Sequence, residues 1–370
     1  MDFIDLKAQQ SRIREKIDKR LNSVLDHGKY IMGPEVFELE EKLSKYVGMR
    51  YCISCSSGTD ALLIPLLAYE IGPGDAVITT PFTYIATAEV ISLLGAEPVF
   101  IDIYDATYNM DPRYIEDAIK HAENKGLNTK AIIPVDLFGL PARYRIINDI
   151  AKKYNLIVIE DAAQGFGGEI RGKKAGSFGH VAATSFFPAK PLGCYGDGGA
   201  IFTNDEELAG KMKSIRVHGS GADKYKNIRL GINGRLDTFQ AAILLEKLNI
   251  FPEEVIKRNQ KAKFFSENIS DVYVKPFIPK NYISSWAQYS ILASSHEHRE
   301  EVIKHLSKKN IPAMIYYPIP LHEQTVNSDL IKVECPIASD IAKRIFSIPM
   351  HPYLNDRDQQ LIYSSLNEIQ

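Results

Sequence analysis

Through its first two-thirds the chain alternates short, uninterrupted apolar runs with longer helical stretches, and this alternation restricts the fold more than any other feature. The runs lack the in-and-out alternation of a strand with one wet face, so we expect strands that helices cover on both sides. Strand, helix and strand in succession are typical of an open, mostly parallel sheet of the α/β class. The predicted strands are Tyr51–Ser54, Ala76–Thr80, Pro98–Ile103, Ala131–Asp136, Leu156–Glu160, Val181–Phe186 and Ala200–Thr203. The predicted helices are Gly58–Glu70, Ile85–Leu94, Asp111–His121 and Arg143–Tyr154.

The pattern changes after the last of these strands. Thr238–Leu248 is predicted to be an apolar helix, and the polar stretch Glu253–Asn268 a second one. Pro252 lies between them, and because the residue before a proline disfavours the helical conformation, we expect a break near Ile250. The sequence therefore predicts a large domain, residues 1–250, and a small C-terminal domain, residues 251–370. Two further elements are predicted in the small domain, a strand at Tyr289–Ala293 and a helix at Ala338–Phe346.

Composition argues against several partners. The 370 residues include 44 Lys and Arg against 46 Asp and Glu, and this balance argues against nucleic acid, whose phosphates require a clustered basic excess. No apolar run approaches the roughly 18 residues that a membrane span needs. The first ten residues lack an apolar signal core, so we expect a cytoplasmic protein. Cys52 and Cys55 have metal-ligand spacing but no second pair, and we interpret them as buried residues at a strand end.

One lysine lies in a segment that is built to approach a ligand. Pro188 and Pro191 flank Lys190 and restrict its backbone on both sides. Glycines then crowd the turn before the next strand, and glycine lets backbone come close to a bound group. A lysine held in this way is a candidate amine nucleophile toward carbonyl groups. The alternative is an ordinary solvated lysine.

A second signal follows the first predicted strand. Ser57, Gly58 and Thr59 open a helix, where free N–H groups and the helix dipole favour a phosphate. The alternative is that Ser57 or Thr59 only caps the helix.

Two further residues complete a chemical set. Asp161 lies at the carboxyl end of the predicted strand Leu156–Glu160, where α/β sheets bind ligands, and its carboxylate could hold a ring nitrogen protonated or else cap a helix. Tyr84 follows another strand and could stack on a planar ring or pack in the core. Phosphate cradle, stacking face, acid and lysine are together what pyridoxal 5'-phosphate (PLP) requires of a protein.

These residues sit in longer motifs, and with them the chain resembles the DegT/DnrJ family of PLP-dependent sugar-nucleotide aminotransferases. The resemblance implies PLP fold type I, the aspartate aminotransferase-like architecture of the α/β class. That fold has a large domain with a mostly parallel seven-stranded sheet and helices on both faces, and a smaller C-terminal α/β domain. The motifs that carry the resemblance are Phe3–Gln9, Gly28–Pro34, Ser57–Asp60, Glu160–Gln164, Gly196–Ala200, Gly231–Ala242 and Tyr317–His322.

The resemblance also implies roles. Lys190 would carry the cofactor and act as the catalytic residue, and Asp161 would bind the pyridine nitrogen. Asn233 would reach the cofactor phosphate of a neighbouring subunit, which implies a homodimer with shared active sites. The remaining cofactor contacts would be Gln164 and Tyr84 at the ring and Ser57, Gly58, Thr59 and Ser185 at the phosphate.

The implied reaction moves an amino group from L-glutamate to a keto-sugar nucleotide for bacterial surface polysaccharide such as lipopolysaccharide. The segments 185–200 and 221–237 look closest to the enzymes that aminate the 3-keto group of UDP-2-acetamido-2-deoxy-glucuronate. A 4-keto or 3-keto 6-deoxy sugar linked to UDP or dTDP is the alternative. Some relatives replace the lysine by histidine and dehydrate their substrates, whereas Lys190 favours transamination. A non-catalytic PLP-binding regulator is a further alternative, against which the intact Lys190, Asp161 and Asn233 argue.

A uronate substrate carries a carboxylate, and arginine binds carboxylates with two parallel hydrogen bonds. Arg229 and Arg235 are the candidates for this contact. For Arg229 and His218, an ordinary surface pair is the alternative. The other substrate-site candidates by family position are Lys29, His218, Tyr316, Tyr317 and His322.

Overall fold

The computed structural model describes residues 1–223, 225–327 and 334–369. All seven predicted strands are present and form one sheet, with the order β1-β9-β8-β5-β4-β2-β3. The strands are β1 Tyr51–Cys55, β2 Asp75–Thr79, β3 Glu97–Phe100, β4 Asn128–Ile132, β5 Ile157–Asp161, β6 Glu169–Ile170, β7 Lys173–Lys174, β8 Val181–Ser185, β9 Gly199–Thr203, β10 Tyr282–Ile283, β11 Tyr289–Leu292 and β12 Ile345–Ile348.

The sheet is mostly parallel, as predicted. β9 runs antiparallel to both of its neighbours, β1 and β8, and the pairs from β8 through β5, β4 and β2 to β3 are parallel. Because β1 and β8 both oppose β9, the carboxyl ends of β1, β8 and β5 lie at the same edge of the sheet.

Helices cover both faces of this sheet. Within β2, Val77 packs into a core with α3, α4 and α7, whereas its neighbours Ala76 and Ile78 pack into a core with α5 and α6. The uninterrupted apolar runs are therefore buried on both sides, which is the reason they lack alternation. The helices are α1 Leu6–His27, α2 Pro34–Val47, α3 Gly58–Ala68, α4 Ala86–Leu93, α5 Ile115–Asn124, α6 Tyr144–Tyr154, α7 Glu206–Ile215, α8 Thr238–Asn268, α9 His296–Lys308, α10 Pro336–Arg344 and α11 Asp356–Asn367.

The predicted helix break at Pro252 is wrong. A single helix, α8, runs for 31 residues from Thr238 to Asn268 and passes through the proline. Phe251 and Val255 are buried against α2 and the sheet, and burial of these side chains outweighs the local cost of the proline. The predicted boundary between residues 250 and 251 falls inside this helix, so the division into domains 1–250 and 251–370 stays a prediction.

The C-terminal part has a small α/β core of its own. β11 and β12 pair antiparallel and pack with α9, α11 and the second half of α8. The predicted helix Ala338–Phe346 ends two residues early, at Arg344, because Ile345 and Phe346 are buried and pair with β11. Asp102, which follows β3, accepts hydrogen bonds from the backbone N–H groups of Ile337 and Ala338 and so joins α10 to the large sheet. Within the described ranges, no helix is both long and apolar enough to cross a membrane.

Candidate active site

The predicted phosphate site lies at the carboxyl edge of the sheet. Ser57 caps α3, and its Oγ accepts a hydrogen bond of 3.0 Å from the backbone N–H of Asp60. Gly58 packs against Ser185 so closely that a side-chain carbon at position 58 would lie 2.5 Å from the Cβ atom of Ser185. This contact brings the N-terminal turn of α3, which includes Thr59, beside the Ser185 hydroxyl. The arrangement combines free helix N–H groups with hydroxyl donors, as a phosphate requires.

Asp161 ends β5 at the same edge and is 4% exposed. Its Oδ2 accepts a hydrogen bond of 2.8 Å from the hydroxyl of Thr87 on α4, and its Oδ1 accepts one of 3.1 Å from the backbone N–H of Ala163. Burial raises the pKa of the Asp161 carboxyl, while these two hydrogen bonds and the charge of Lys190 act in the opposite direction. The carboxylate is therefore fixed in one orientation, and its nearest cation is the predicted catalytic lysine.

Lys190 sits in a turn after β8, where its backbone N–H donates a hydrogen bond of 2.8 Å to the carbonyl of Phe187. Burial lowers the pKa of its amine, and the charge of Asp161 partly offsets this effect. A lowered pKa increases the neutral fraction of the amine, which is the nucleophilic form.

Lys247 supports the segment that directly follows Lys190. Its Nζ, on a fully buried side chain of α8, donates a hydrogen bond of 2.6 Å to the carbonyl of Gly193. The ammonium also lies 4.3 Å from the centre of the Tyr195 ring. Lys247 thus holds the first glycine of the glycine-rich segment that follows Lys190.

Gln164 and Tyr317 face each other next to Asp161. The Oε1 of Gln164 accepts a hydrogen bond of 2.8 Å from the N–H of Phe138, and its Nε2 donates one of 3.0 Å to the hydroxyl of Tyr317. Burial and the nearby charge of Asp161 raise the pKa of Tyr317, and Tyr84 contributes in the same direction. Tyr84 is 58% exposed, so its ring is free of the core and borders this group. The structure therefore brings Gln164, Tyr317 and Asp161 together, with Tyr84 at their margin.

Asn233 and Arg235 lie close to the cradle within the same chain. The carbonyl of Gly234 accepts a hydrogen bond of 3.1 Å from the N–H of Ser56, the residue before the α3 cap. Asn233 is exposed, and its side-chain oxygen accepts a hydrogen bond from Arg235. The buried Nε of Arg235 has no partner in the described ranges.

Lys29 is exposed and adjoins the segment that carries Arg235. The carbonyl of Tyr30 accepts a hydrogen bond from Thr238, and Ile31 bridges to Asp237. The structure thus brings the predicted residues at positions 29 and 235 into one region.

His218 and Arg229 share the loop between α7 and α8. Gly219 packs so closely against Arg229 that a side-chain carbon at position 219 would lie 1.9 Å from the carbonyl oxygen of Arg229. In the same loop, Asn227 donates a hydrogen bond to the carbonyl of His218. His218 is exposed and Arg229 half-buried, and the described hydrogen bonds of both residues stay within this loop or its base. The structure thus places these two residues in one loop, and none of their described contacts is with the Asp161 group.

Tyr316 and His322 border the C-terminal part. The rings of Tyr316 and Phe3 lie 6.3 Å apart, and Tyr316 adjoins Tyr317. His322 lies beside Ser339 and Glu323, and burial lowers its pKa. Tyr316 is therefore next to the Gln164 group, whereas the described contacts of His322 are with the C-terminal segment.

The family model described as "DegT/DnrJ/EryC1/StrS aminotransferase family" matches residues 11–367. The chain belongs to this family. It is 50% identical over 367 residues to the UDP-2-acetamido-2-deoxy-3-oxo-D-glucuronate aminotransferase of Pseudomonas aeruginosa, with 99% of each chain covered. A DegT/DnrJ/EryC1/StrS aminotransferase from Brucella abortus has a crystal structure that matches with a TM-score of 0.97 at 48% identity, covering 100% of this chain and 99% of that one. The NtdA protein of Bacillus subtilis, solved with bound cofactor PMP, matches with a TM-score of 0.89 at 30% identity, covering 99% and 83%.

These matches confirm the predicted family and the PLP fold type I architecture, and PLP is the cofactor of DegT/DnrJ/EryC1/StrS aminotransferases. The residues present fit that cofactor. The N-terminal turn of α3 at Gly58 is closed by Ser185 and has hydroxyl donors for a phosphate, and a hydrogen-bonded carboxylate lies beside a lysine of lowered pKa.

Four residues that support this family site were not predicted from the sequence. Thr87 donates a hydrogen bond to Asp161. The available clue in the sequence was a second threonine four positions earlier, Thr83, whose hydroxyl lies 3.2 Å from that of Thr87. In the sequence, Lys247 is one polar residue on an apolar helix. Because lysine is rarely buried, this pattern gave no reason to expect its side chain in the core. Asp136 and Glu160 are fully buried carboxyls behind Asp161, and a second acid in the apolar run of β5 was the available clue.

Proposed function

We propose that this chain transfers the amino group of L-glutamate to the 3-keto group of UDP-2-acetamido-2-deoxy-3-oxo-glucuronate, in the biosynthesis of a bacterial surface polysaccharide. The observation that carries the aminotransferase chemistry is the grouping of Lys190, Asp161 and the α3 cradle at one edge of the sheet. Full-length likeness to the Pseudomonas aeruginosa enzyme supports the sugar nucleotide.

In this proposal Lys190 would hold the cofactor through its aldehyde group, and its amine would take up the proton from the Cα atom of the amino donor. When bound, PLP supplies a ring that withdraws electrons from the reacting carbon. Asp161 holds a proton at the ring nitrogen, and Thr87 and Ala163 keep its carboxylate in place. A positioned proton-transfer group of this kind contributes about 10²–10⁴ in rate. Ser57, Gly58, Thr59 and Ser185 bind the phosphate, with Gln164 and Tyr84 at the ring.

The substrate would be held by its carboxylate and its diphosphate. Arg235 supports the carboxylate contact because its described side-chain hydrogen bond is the one to Asn233, so the guanidinium has further donors for a bidentate contact. Arg229, on the neighbouring loop, is the second candidate. The remaining substrate contacts that we propose are Lys29, His218, Tyr316, Tyr317 and His322.

We further propose a homodimer with shared active sites, in which Asn233 contacts the cofactor phosphate of the partner subunit. Asn233 is exposed, and apolar side chains on the adjoining loop are also exposed, among them Ile228 and Leu230, the latter at 89%. Exposed apolar side chains of this kind are typical of a protein interface. A cytoplasmic location is supported by four cysteines that are all free and buried.

The experiment that tests the catalytic assignment is covalent trapping. Borohydride reduction of the PLP-loaded protein, followed by peptide mass spectrometry, should find the cofactor on the peptide that contains Lys190. The Lys190→Ala variant should show none. Cofactor on another lysine, or none on the wild-type protein, would contradict the assignment.

Substrate choice is tested with Arg235→Ala and Arg229→Ala. Loss of a bidentate carboxylate contact should lower kcat/KM for the 3-oxo uronate about tenfold to hundredfold and leave 6-deoxy keto sugars unaffected. Arg145→Ala, at an exposed position on α6, is the matched control. Higher wild-type activity on a 6-deoxy substrate than on the uronate would favour the alternative sugar.

A further inference from the structure

Behind Asp161, on the other side of the strand end, lies a second carboxyl group that the proposed reaction does not use. Glu160 is fully buried in β5. Its carboxylate accepts hydrogen bonds from the backbone N–H groups of Gly176 at 2.5 Å, Phe178 at 2.6 Å and Gly179 at 3.4 Å. Three N–H donors stabilise the ionised form of a carboxyl group.

Asp136 is also fully buried, and it lies close enough to Glu160 for each carboxyl group to act on the pKa of the other. Its Oδ1 accepts hydrogen bonds from the hydroxyl of Tyr144 at 2.8 Å and from the N–H of Ala142 at 2.9 Å. Its Oδ2 is buried and meets no donor in the part of the chain that the structure describes. One oxygen of Asp136 is thus satisfied as an acceptor, and the other is buried without a donor in the described ranges.

Two buried carboxylates in contact cannot both be ionised without a large electrostatic cost. Burial and the charge of Glu160 raise the pKa of Asp136 well above its usual range. The charge of this pair also raises the pKa of Tyr144 on α6, and the charge of Asp136 raises that of Tyr282 on β10. Both tyrosines are uncharged at neutral pH. A proton on Asp136 Oδ2 would remove the repulsion between the two carboxylates and turn that oxygen into a hydrogen-bond donor.

The pair is tied directly to the residue that would hold the cofactor ring. The N–H of Asp136 donates a hydrogen bond of 3.0 Å to the carbonyl of Asp161, and the N–H of Asp161 donates one of 2.9 Å to the carbonyl of Pro134. Gly165 packs against the Asp136 side chain, and a side-chain carbon at position 165 would lie 2.5 Å from Oδ2 of Asp136. Glu160 precedes Asp161 in β5 and binds the loop at 176–179.

We propose that Asp136 and Glu160 share a single proton, carried by Asp136, and that this pair positions the end of β5 that presents Asp161 to the cofactor. The positioning part rests on the proposed role of Asp161. The shared proton rests on the contacts of the pair alone.

Two amide substitutions distinguish the partners of the pair. Asp136→Asn replaces a protonated carboxyl by a group of the same shape, whose N–H₂ can donate to Glu160. Glu160→Gln sets an N–H₂ group either against the N–H of Gly176 or against those of Phe178 and Gly179, because these donors bind different oxygens of Glu160. We expect Asp136→Asn to melt within about 2 °C of the wild-type apoprotein, and Glu160→Gln to melt at least about 5 °C lower. An equal loss in both, or a larger loss in Asp136→Asn, would overturn the assignment of the proton.

Positioning is tested by the cofactor. We expect Glu160→Gln and Asp136→Ala to bind PLP at least about tenfold more weakly and to shift its visible absorption band, with affinity and band restored in Asp136→Asn. Unchanged affinity and spectrum in Glu160→Gln and Asp136→Ala would overturn the positioning role.

A measurement on the wild-type protein needs neither a folded variant nor the cofactor. Infrared spectra of the full-length apoprotein at neutral pH should contain a protonated-carboxyl band that shifts when aspartate side chains carry ¹³C. The absence of such a band would overturn the shared proton. A band present in a protein that does not bind PLP would instead contradict the proposed function and leave the shared proton intact.

Discussion

At the scale of single residues, the site depends on how closely backbone can approach backbone. Gly58 is the clearest case, because its neighbour Ser185 occupies the space that a side chain would need, with its Oγ only 2.9 Å from the place of a Cβ atom. The same closeness puts the N–H groups of α3 and the hydroxyl of Ser185 around one anion. The absence of a side chain at position 58 is therefore a condition for the cradle.

We expect Gly58→Ala to push Ser185 away and to lower the free energy of unfolding by about 1–3 kcal/mol, as overpacking does in closed sites. PLP affinity should fall with it, because the hydroxyl and the helix N–H groups would no longer converge. Urea unfolding and PLP titration measure the two effects.

The matched control is Gly210→Ala on α7, where the added carbon meets no atom within 4 Å. That change should leave PLP affinity intact, since alanine is the better helix former. Equal affinities in the two variants would contradict the close approach at Gly58.

The sequence predicted single residues well where a local motif carries them and poorly where the partner is distant. Lys190 and Asp161 stand in motifs, and the structure places them close enough for the charge of each to act on the pKa of the other. Asp136 and Glu160 are separated by 24 positions along the chain, and their contact depends on how β5 is set beside the segment after β4. The residues next to Asp136 and Glu160 in the sequence do not indicate that pairing, so the buried carboxyl pair could not be predicted.

At the scale of elements, α8 places a buried cation beneath the catalytic turn. Burial lowers the pKa of Lys247 to about 8, below the 10.5 of an ordinary lysine. Between these two values the unfolded chain binds more protons than the folded chain, so the contribution of Lys247 to stability rises with pH. The penalty for burying the charge is complete below about pH 8 and is gone above about pH 10.5.

Lys247→Met removes this titration and keeps a side chain of similar length. We expect the wild-type protein to gain about 2 kcal/mol of unfolding free energy relative to Lys247→Met between roughly pH 7.5 and 9.5. Urea unfolding of both proteins at the two pH values measures the difference, and titrations common to both cancel. A difference that does not change with pH would show that buried Lys247 keeps the pKa of an ordinary lysine and stays charged over this range.

Elements themselves were predicted where apolar periodicity was strong. The seven strands of the large sheet and the four helices between them are found near their predicted positions. The break at Pro252 was predicted from local backbone preference, which the buried face of Phe251 and Val255 overrides. Local rules therefore failed where tertiary packing opposed them.

At the scale of the whole molecule, the proposed homodimer with shared active sites makes a quantitative prediction. Lys190→Ala and Asn233→Ala should each be impaired as pure proteins. If Asn233 serves the partner subunit, a mixed dimer has one site with both residues intact and one site with neither. Equal mixing after dissociation should therefore restore about a quarter of the wild-type sites, since half of the dimers are mixed.

The outcome is measured as aminotransferase activity after the two proteins are unfolded together and refolded. Each protein refolded alone provides the baseline. No restoration would mean that Asn233 serves its own subunit, to which the hydrogen bond between Gly234 and Ser56 already ties it. Full activity of pure Asn233→Ala would contradict its proposed phosphate contact.

The unbroken α8 also determines how the molecule could be taken apart. A cut between residues 250 and 251 would separate Leu244 and Leu248 from Phe251 and Val255, which lie in the same core. Each fragment would keep part of one helix and expose apolar residues of the core to which both parts of the helix contribute. Split in this way, the protein would supply two complementing fragments that fold on meeting, rather than two lobes that fold alone.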